Sequence, residues 1–260
     1  MPRTLCLALL LAACRSPVPE DHTSLSLSPG EDPGPPARTL SMVWLHHSTG
    51  DNLLAGGLLQ ALRANNIDFH DINYEEAAVQ GYVIGDHTDP PDFPKTFNTP
   101  AYFAKVRSWE RTDGKPHDII MFKSCYPASD IESDAKLAQY KKWYSSLLPT
   151  FRANPRILFI PMSTPPRVKR RTDADDAARA RSFARWLSTE YATELKNVQV
   201  FDLFNALAIL EGKPDQNTLA PQFAMAATDS HPTPAGARAV TRLFIPWLNR
   251  AIRAAGIDNR

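Results

Sequence analysis

Leu40-Ser41-Met42-Val43-Trp44-Leu45 runs directly into His46-His47-Ser48-Thr49-Gly50-Asp51-Asn52. Six mainly apolar residues give way to seven small or polar ones. From Asn52 to Ala64, leucines at 53, 54, 58, 59 and 62 then repeat at helical spacing. That order reads as strand, turn and helix. The pattern recurs along the chain. Phe69–Asn73 is a second short strand, and Ile119–Phe122 is a continuous apolar run of the kind buried on both faces. Asp134–Phe151 reads as a helix and Arg156–Pro161 as another buried strand. Asp173–Leu195 is a long helix, with Phe183, Trp186, Leu187 and Tyr191 on its inner side, and Val198–Asp202 is a fifth strand. The last helix is expected over Pro234–Ala255, where Val240, Leu243, Phe244, Trp247 and Leu248 recur at helical spacing and Pro246 should introduce a kink. Strands alternating with helices imply an α/β domain of three α/β/α layers around a parallel sheet of about five strands.

The amino-terminal part has a different character. Arg3 precedes the short apolar run Leu5–Leu11, which is too short to span a bilayer, followed by Leu11-Ala12-Ala13-Cys14. A basic start, a short apolar stretch and small residues mark a secretory signal over residues 1–13. Leu-Ala-Ala-Cys also resembles the bacterial lipobox, which implies that Cys14 becomes a lipid-bearing first residue. Arg15, not an acid, follows it, which permits outer-membrane sorting where two membranes exist. Residues 14–38 are rich in Pro, Ser and Gly and form an expected flexible tether. Residues 39–260 form the remaining domain. With Cys6 removed and Cys14 acylated, Cys125 is left as a single thiol, which precludes an internal disulfide framework. A net charge of +1 gives no electrostatic basis for a nucleic-acid partner, and Arg167-Val168-Lys169-Arg170-Arg171 reads as a solvated loop.

In a parallel α/β sheet, ligands bind beyond the carboxyl ends of the strands. Ser48 lies there, after the first strand, where helix amides favour a developing negative charge. Capping of the following helix by Ser48, Thr49 or Asp51 is the alternative use for such a residue. Thr228-Asp229-Ser230-His231-Pro232-Thr233-Pro234-Ala235-Gly236 immediately precedes the last helix. Thr233 suits its N-cap and Pro234 its first turn, so His231 is held in a rigid approach. Asp229 is near enough to orient one ring nitrogen, leaving the other to take a proton from a serine.

A serine after the first strand, with acid and base sharing one loop before the last helix, resembles the SGNH or GDSL-type hydrolases. That resemblance covers residues 40 to the end in layout. It implies a flavodoxin-like fold and cofactor-free hydrolysis of esters, with Ser48 as nucleophile, His231 as base and Asp229 as acid. Three features depart from the family. Gly-Asp-Ser reads His46-His47-Ser48; the acid stands two residues before the histidine, with Thr228 at the usual third position; and the Gly-x-Asn-Asp block gives way to Lys123-Ser124-Cys125-Tyr126. The resemblance assigns the oxyanion glycine to Gly81 or Gly85. Asn52, Ser124 or Cys125 is then the candidate for the missing asparagine. Cys125 is itself a second candidate nucleophile. A metal centre at His46, His47, Asp86, His87 and Asp89 is disfavoured, because adjacent histidines on a strand point in opposite directions. The expected partners are an acylated small molecule or polymer and a membrane reached through the anchor. An acyltransferase, and an inactive glycan-binding protein on the same fold, are the alternatives.

Overall fold

The computed structural model describes residues 32–258. The signal segment, Cys14 and most of the tether lie outside them. β1 (Leu40–Leu45) is followed by α1 (Ser48–Leu53) and α2 (Leu59–Ala64), joined by a wide turn over Leu54–Leu58. β2 (Ile67–Ile72) leads to a small hairpin of β3 (Ala78–Val79) and β4 (Tyr82–Val83). Next come α3 (Phe93–Asn98), α4 (Pro100–Arg107) and β5 (Ile119–Phe122). α5 (Asp134–Ser145), α6 (Leu148–Ala153) and β6 (Leu158–Pro161) follow. The carboxyl-terminal third holds α7 (Ala174–Thr189), α8 (Leu203–Leu207), the hairpin β7 (Ala224–Ala226) and β8 (Asp229–Pro232), and α9 (Pro234–Ala255).

The main sheet has the order β2-β1-β5-β6, and every pairing in it is parallel. The expected fifth strand is reduced to two parallel bridges beside β6, Phe159 with Val198 and Met162 with Phe201. Side chains alternate across each strand. Val43, Leu45, Ile120, Phe122 and Phe159 enter one core, and Met42, Trp44, Met121 and Ile160 enter the other. Both faces are therefore covered, which explains the continuous apolar runs of β1, β5 and β6. One layer is built from α1, α2 and α9, through residues such as Leu53, Leu62, Val240 and Phe244. The opposite layer is strongly aromatic: Phe122 meets Phe97 at 4.7 Å and Phe93 at 4.8 Å between ring centroids.

Two expected helices are divided. Gly57 in the turn after α1 has φ +116°, a conformation suited to glycine, and a Cβ on the neighbouring Gly56 would lie 2.1 Å from Ala237 Cβ. Gly56 thus allows close approach to α9, Gly57 supplies the reversed backbone, and the helix breaks there. The predicted helix over Asp134–Phe151 separates into α5 and α6, with Pro149 in the first turn of α6. α9 runs unbroken through Pro246.

The edge strand β2 is flanked by a polar side-chain cluster and an indole. His70 bonds Glu110 at 3.2 Å and Asp68 at 3.3 Å, while Trp109 Nε1 donates to the Asp71 carbonyl at 2.8 Å. At the other end of the domain, residues 32–38 are fastened to the body. Arg38 forks onto Asp118, and the Ala37 amide donates to Asp258 at 2.8 Å. Among the described residues, no helix is long and apolar enough to cross a membrane.

Candidate active site

β1 delivers its following turn to the carboxyl edge of the sheet. There His47 is the N-cap of α1, with extended backbone and no capping side-chain bond, and Ser48 is the first helical residue. The hydroxyl of Ser48 is thus not used to cap the helix. It points to His231 Nε2, 2.8 Å away. Donation from Ser48 to Nε2 requires the ring proton on Nδ1, which lies 2.6 Å from Asp229 Oδ1 and donates to it.

The Asp229 spacing has a local explanation. Residues i and i+2 of a strand share a face, and Asp229 and His231 both lie in β8. The same carboxylate oxygen also accepts the His231 backbone N–H at 3.0 Å. That bond, with the ring contact behind it, holds the Asp229 carboxyl below the usual carboxylate range. β8 is fixed from both ends. Ser230 is buried, and its Oγ accepts the Val168 amide at 3.0 Å. Thr233 caps α9 by accepting Gly236 N–H at 3.2 Å. Tyr126 stands edge-on to the His231 ring at 5.0 Å.

Behind Ser48 lies a buried polar layer from the end of β5. Cys125 Sγ is 3.4 Å from Ser48 Oγ and 3.0 Å from Thr49 Oγ1. Lys123 is fully buried and donates to the Ser124 carbonyl at 3.3 Å; burial pushes its ammonium pKa down. Burial opposes ionisation of the Cys125 thiol, but Lys123 and the two hydroxyls outweigh it and bring that thiol below its ordinary pKa. The His231 ring nonetheless addresses Ser48, whereas the side-chain partners of Cys125 are hydroxyls.

The two histidines before Ser48 diverge. His46 is fully buried against Trp44, with its ring nitrogens 3.8 Å from Asp51 and 3.4 Å from Asp71. Hydrogen bonding to His46 holds the Asp71 carboxyl low. Gly50 is required beside that ring, because a Cβ there would approach it to 2.4 Å. His47 turns the other way and donates Nε2–H to the Gly85 carbonyl at 2.5 Å. Burial lowers its pKa and favours the neutral ring. His87 Nδ1 donates to the Val83 carbonyl at 2.6 Å.

The candidate oxyanion residues fall in different places. Gly85 does not offer a free amide: its N–H donates to the Glu76 carbonyl at 3.1 Å, because β4 and the turn after it fold back onto residues 73–76. Gly81 is exposed at the turn between β3 and β4, with φ +80°. Ser124 is fully buried, and the Asn52 oxygen is buried one helical turn after Ser48. The sequence reading passed over Tyr74. Its hydroxyl accepts the Ser48 backbone N–H at 3.2 Å, and its ring stacks on His47 at 4.2 Å between centroids, tilted by 13°. A signal was available in the isolated aromatic of Asn73-Tyr74-Glu75-Glu76, just past the end of β2. Lys123 also belongs to this site. Its signal is position, since it continues a strand buried on both faces.

No family model matches the chain, and no curated protein matches it. Solved structures do. A Bacteroides fragilis protein assigned as an acylhydrolase superposes with TM-score 0.53 at 14% identity, over 86% of this chain and 93% of its own. A GDSL-like lipase from Bacteroides thetaiotaomicron gives 0.46 at 12%, over 79% and 86%. A family two carbohydrate esterase from Cellvibrio japonicus gives 0.44 at 16%, over 85% and 63%. The likeness to the first of these is one of fold, and that fold is the one expected from the SGNH resemblance.

Proposed function

We propose that this protein is an exported, lipid-anchored serine hydrolase acting on ester bonds. The observation that carries the reading is the continuous hydrogen-bonded line from Ser48 Oγ through His231 to Asp229, with steps of 2.8 and 2.6 Å. Ser48 attacks the ester carbonyl as His231 Nε2 takes its proton. The resulting imidazolium is stabilised by Asp229 and returns the proton to the departing alcohol. Water then repeats the sequence on the acyl-enzyme and regenerates Ser48. Every proton is accounted for by these side chains and water.

A fluorophosphonate probe tests the nucleophile. The expected result is one label per chain, lost in Ser48→Ala and retained in Cys125→Ala. A folded wild-type protein that takes no label at neutral pH would favour the binding-protein alternative. Label that follows Cys125 instead would transfer the chemistry to the thiol. The anchor rests on Leu11-Ala12-Ala13-Cys14. Metabolic labelling with a fatty acid should mark the wild-type chain and not Cys14→Ala; equal labelling of both would remove Cys14 from that role.

A further inference from the structure

An acyl-transfer site needs donors aimed at the oxygen that becomes negative as the nucleophile attacks. The Ser48 amide is one, because it opens α1 and lies beside its own hydroxyl. Gly85 N–H is engaged by Glu76, the Ser124 side chain is fully buried, and the Cys125 thiol sits among the hydroxyls of Ser48 and Thr49. The Tyr74 hydroxyl is different. It lies on the Ser48 amide, it accepts that N–H, and its own proton remains to be donated. We propose that Tyr74 is the second oxyanion-hole donor, taking the part that the absent asparagine block leaves open. This rests on the serine-hydrolase reading above.

The surroundings present this side chain. Asn73 Nδ2 donates to Asp51 at 2.6 Å, and the Asn73 amide donates to Glu76 at 2.7 Å. The Glu75 amide donates to Asp86 at 2.8 Å, and Glu75 and Ala77 both take positive φ, at +60° and +56°. The turn is thus tied to α1 on one side and to the β4 end on the other. His47 supplies a flat support for the phenol ring and is itself held by Gly85. Tyr74 is 48% exposed, which leaves room for the small shift that the chemistry needs. At rest, Ser48 N–H rests on the phenol oxygen. As Ser48 Oγ bonds to the carbonyl carbon and its proton passes to His231, the carbonyl π pair becomes the oxyanion. Ser48 N–H and Tyr74 O–H then both donate to that oxyanion. No bond to the tyrosine hydrogen breaks, and collapse of the intermediate restores the resting contact.

The test compares wild type, Tyr74→Phe and Tyr74→Ala in hydrolysis of p-nitrophenyl acetate, alongside inhibition by phenylboronic acid, whose tetrahedral adduct carries a comparable oxygen. Loss of one oxyanion donor is expected to lower kcat by about 10²–10³-fold in Tyr74→Phe. KM should change little, boronate inhibition should weaken, and fluorophosphonate labelling should be slower but reach full stoichiometry. Unchanged or faster turnover in Tyr74→Phe would overturn the proposal and make the phenol a cover over the Ser48 amide. A fall in Tyr74→Ala alone would also overturn it, assigning the ring and not the hydroxyl. Wild-type protein with neither turnover nor label would instead remove the underlying hydrolase reading. Exposure of the ring and thermal melts of both variants separate these outcomes from misfolding.

Discussion

His231→Ala should lower kcat for ester hydrolysis by on the order of 10⁴–10⁶-fold and leave KM little changed. The imidazole Nε2 accepts the Ser48 hydroxyl, 2.8 Å from its oxygen, so in the proposed mechanism its loss removes both the base for attack and the acid for alcohol departure. A 10⁴-fold loss corresponds to about 5.5 kcal/mol of transition-state stabilisation. Asp229→Asn should cost less, about 10²–10⁴-fold. Its carboxylate is 42% exposed, so water can supply part of the orientation that Asn loses. Asp229 also lies below the ordinary carboxylate range and stays ionised throughout neutral pH. The Ser48→Ala/His231→Ala double variant should be no slower than either single one, because residues that act as a unit are not additive. Steady-state kinetics with p-nitrophenyl acetate checks all three. Full activity in His231→Ala would dissolve the proposed triad.

Gly85→Ala should be the most damaging single methyl in the site. A Cβ there would lie 1.7 Å from the Asn73 carbonyl oxygen, 2.7 Å from the Asn73 carbonyl carbon and 3.1 Å from the Glu76 nitrogen. These are backbone atoms, so no rotamer change relieves the clash, and the turn carrying Tyr74 must move. The expected destabilisation is about 3 kcal/mol or more. For a domain of this size that lowers Tm by about 6–12 °C. The control is Gly81→Ala. No atom lies within 4 Å of its added Cβ, so only the φ of +80° resists it, at about 1–2 kcal/mol. Thermal melts of the two variants rank them. Equal melting temperatures would mean that the loop yields freely and that Gly85 is not needed for close approach.

Much of the fold could be read from apolar spacing alone. β1, β5 and β6 announce themselves because burial on both faces removes polar residues from the run. α9 keeps its expected bounds: Thr233 and Pro234 mark its start in the sequence, and the structure ends it at Gly256, with φ +63°. What local sequence hides is the demand of a distant partner. The break at Gly56-Gly57 answers Ala237 in α9, and the fifth strand is reduced to two bridges, Val198 to Phe159 and Phe201 to Met162. The site divides along the same line. Ser48, Asp229 and His231 stand next to element ends that the sequence marks. Tyr74 follows β2, and its relevance depends on β2 being the parallel neighbour of β1, a fact of sheet order. Gly85 looked like an amide donor, whereas its amide, its carbonyl and its lack of a side chain all serve the loop.

The covered edge of the sheet bears on the proposed anchoring at a membrane surface. Proteins tethered to a membrane meet copies of themselves at far higher local density than the same proteins in bulk solution. An open β2 would then be a template on which neighbouring chains could pair strand to strand. The Asp68–His70–Glu110 charges and the Trp109 indole on the Asp71 carbonyl occupy that template. If the chain is anchored as proposed, this cover would keep crowding from becoming strand-to-strand association.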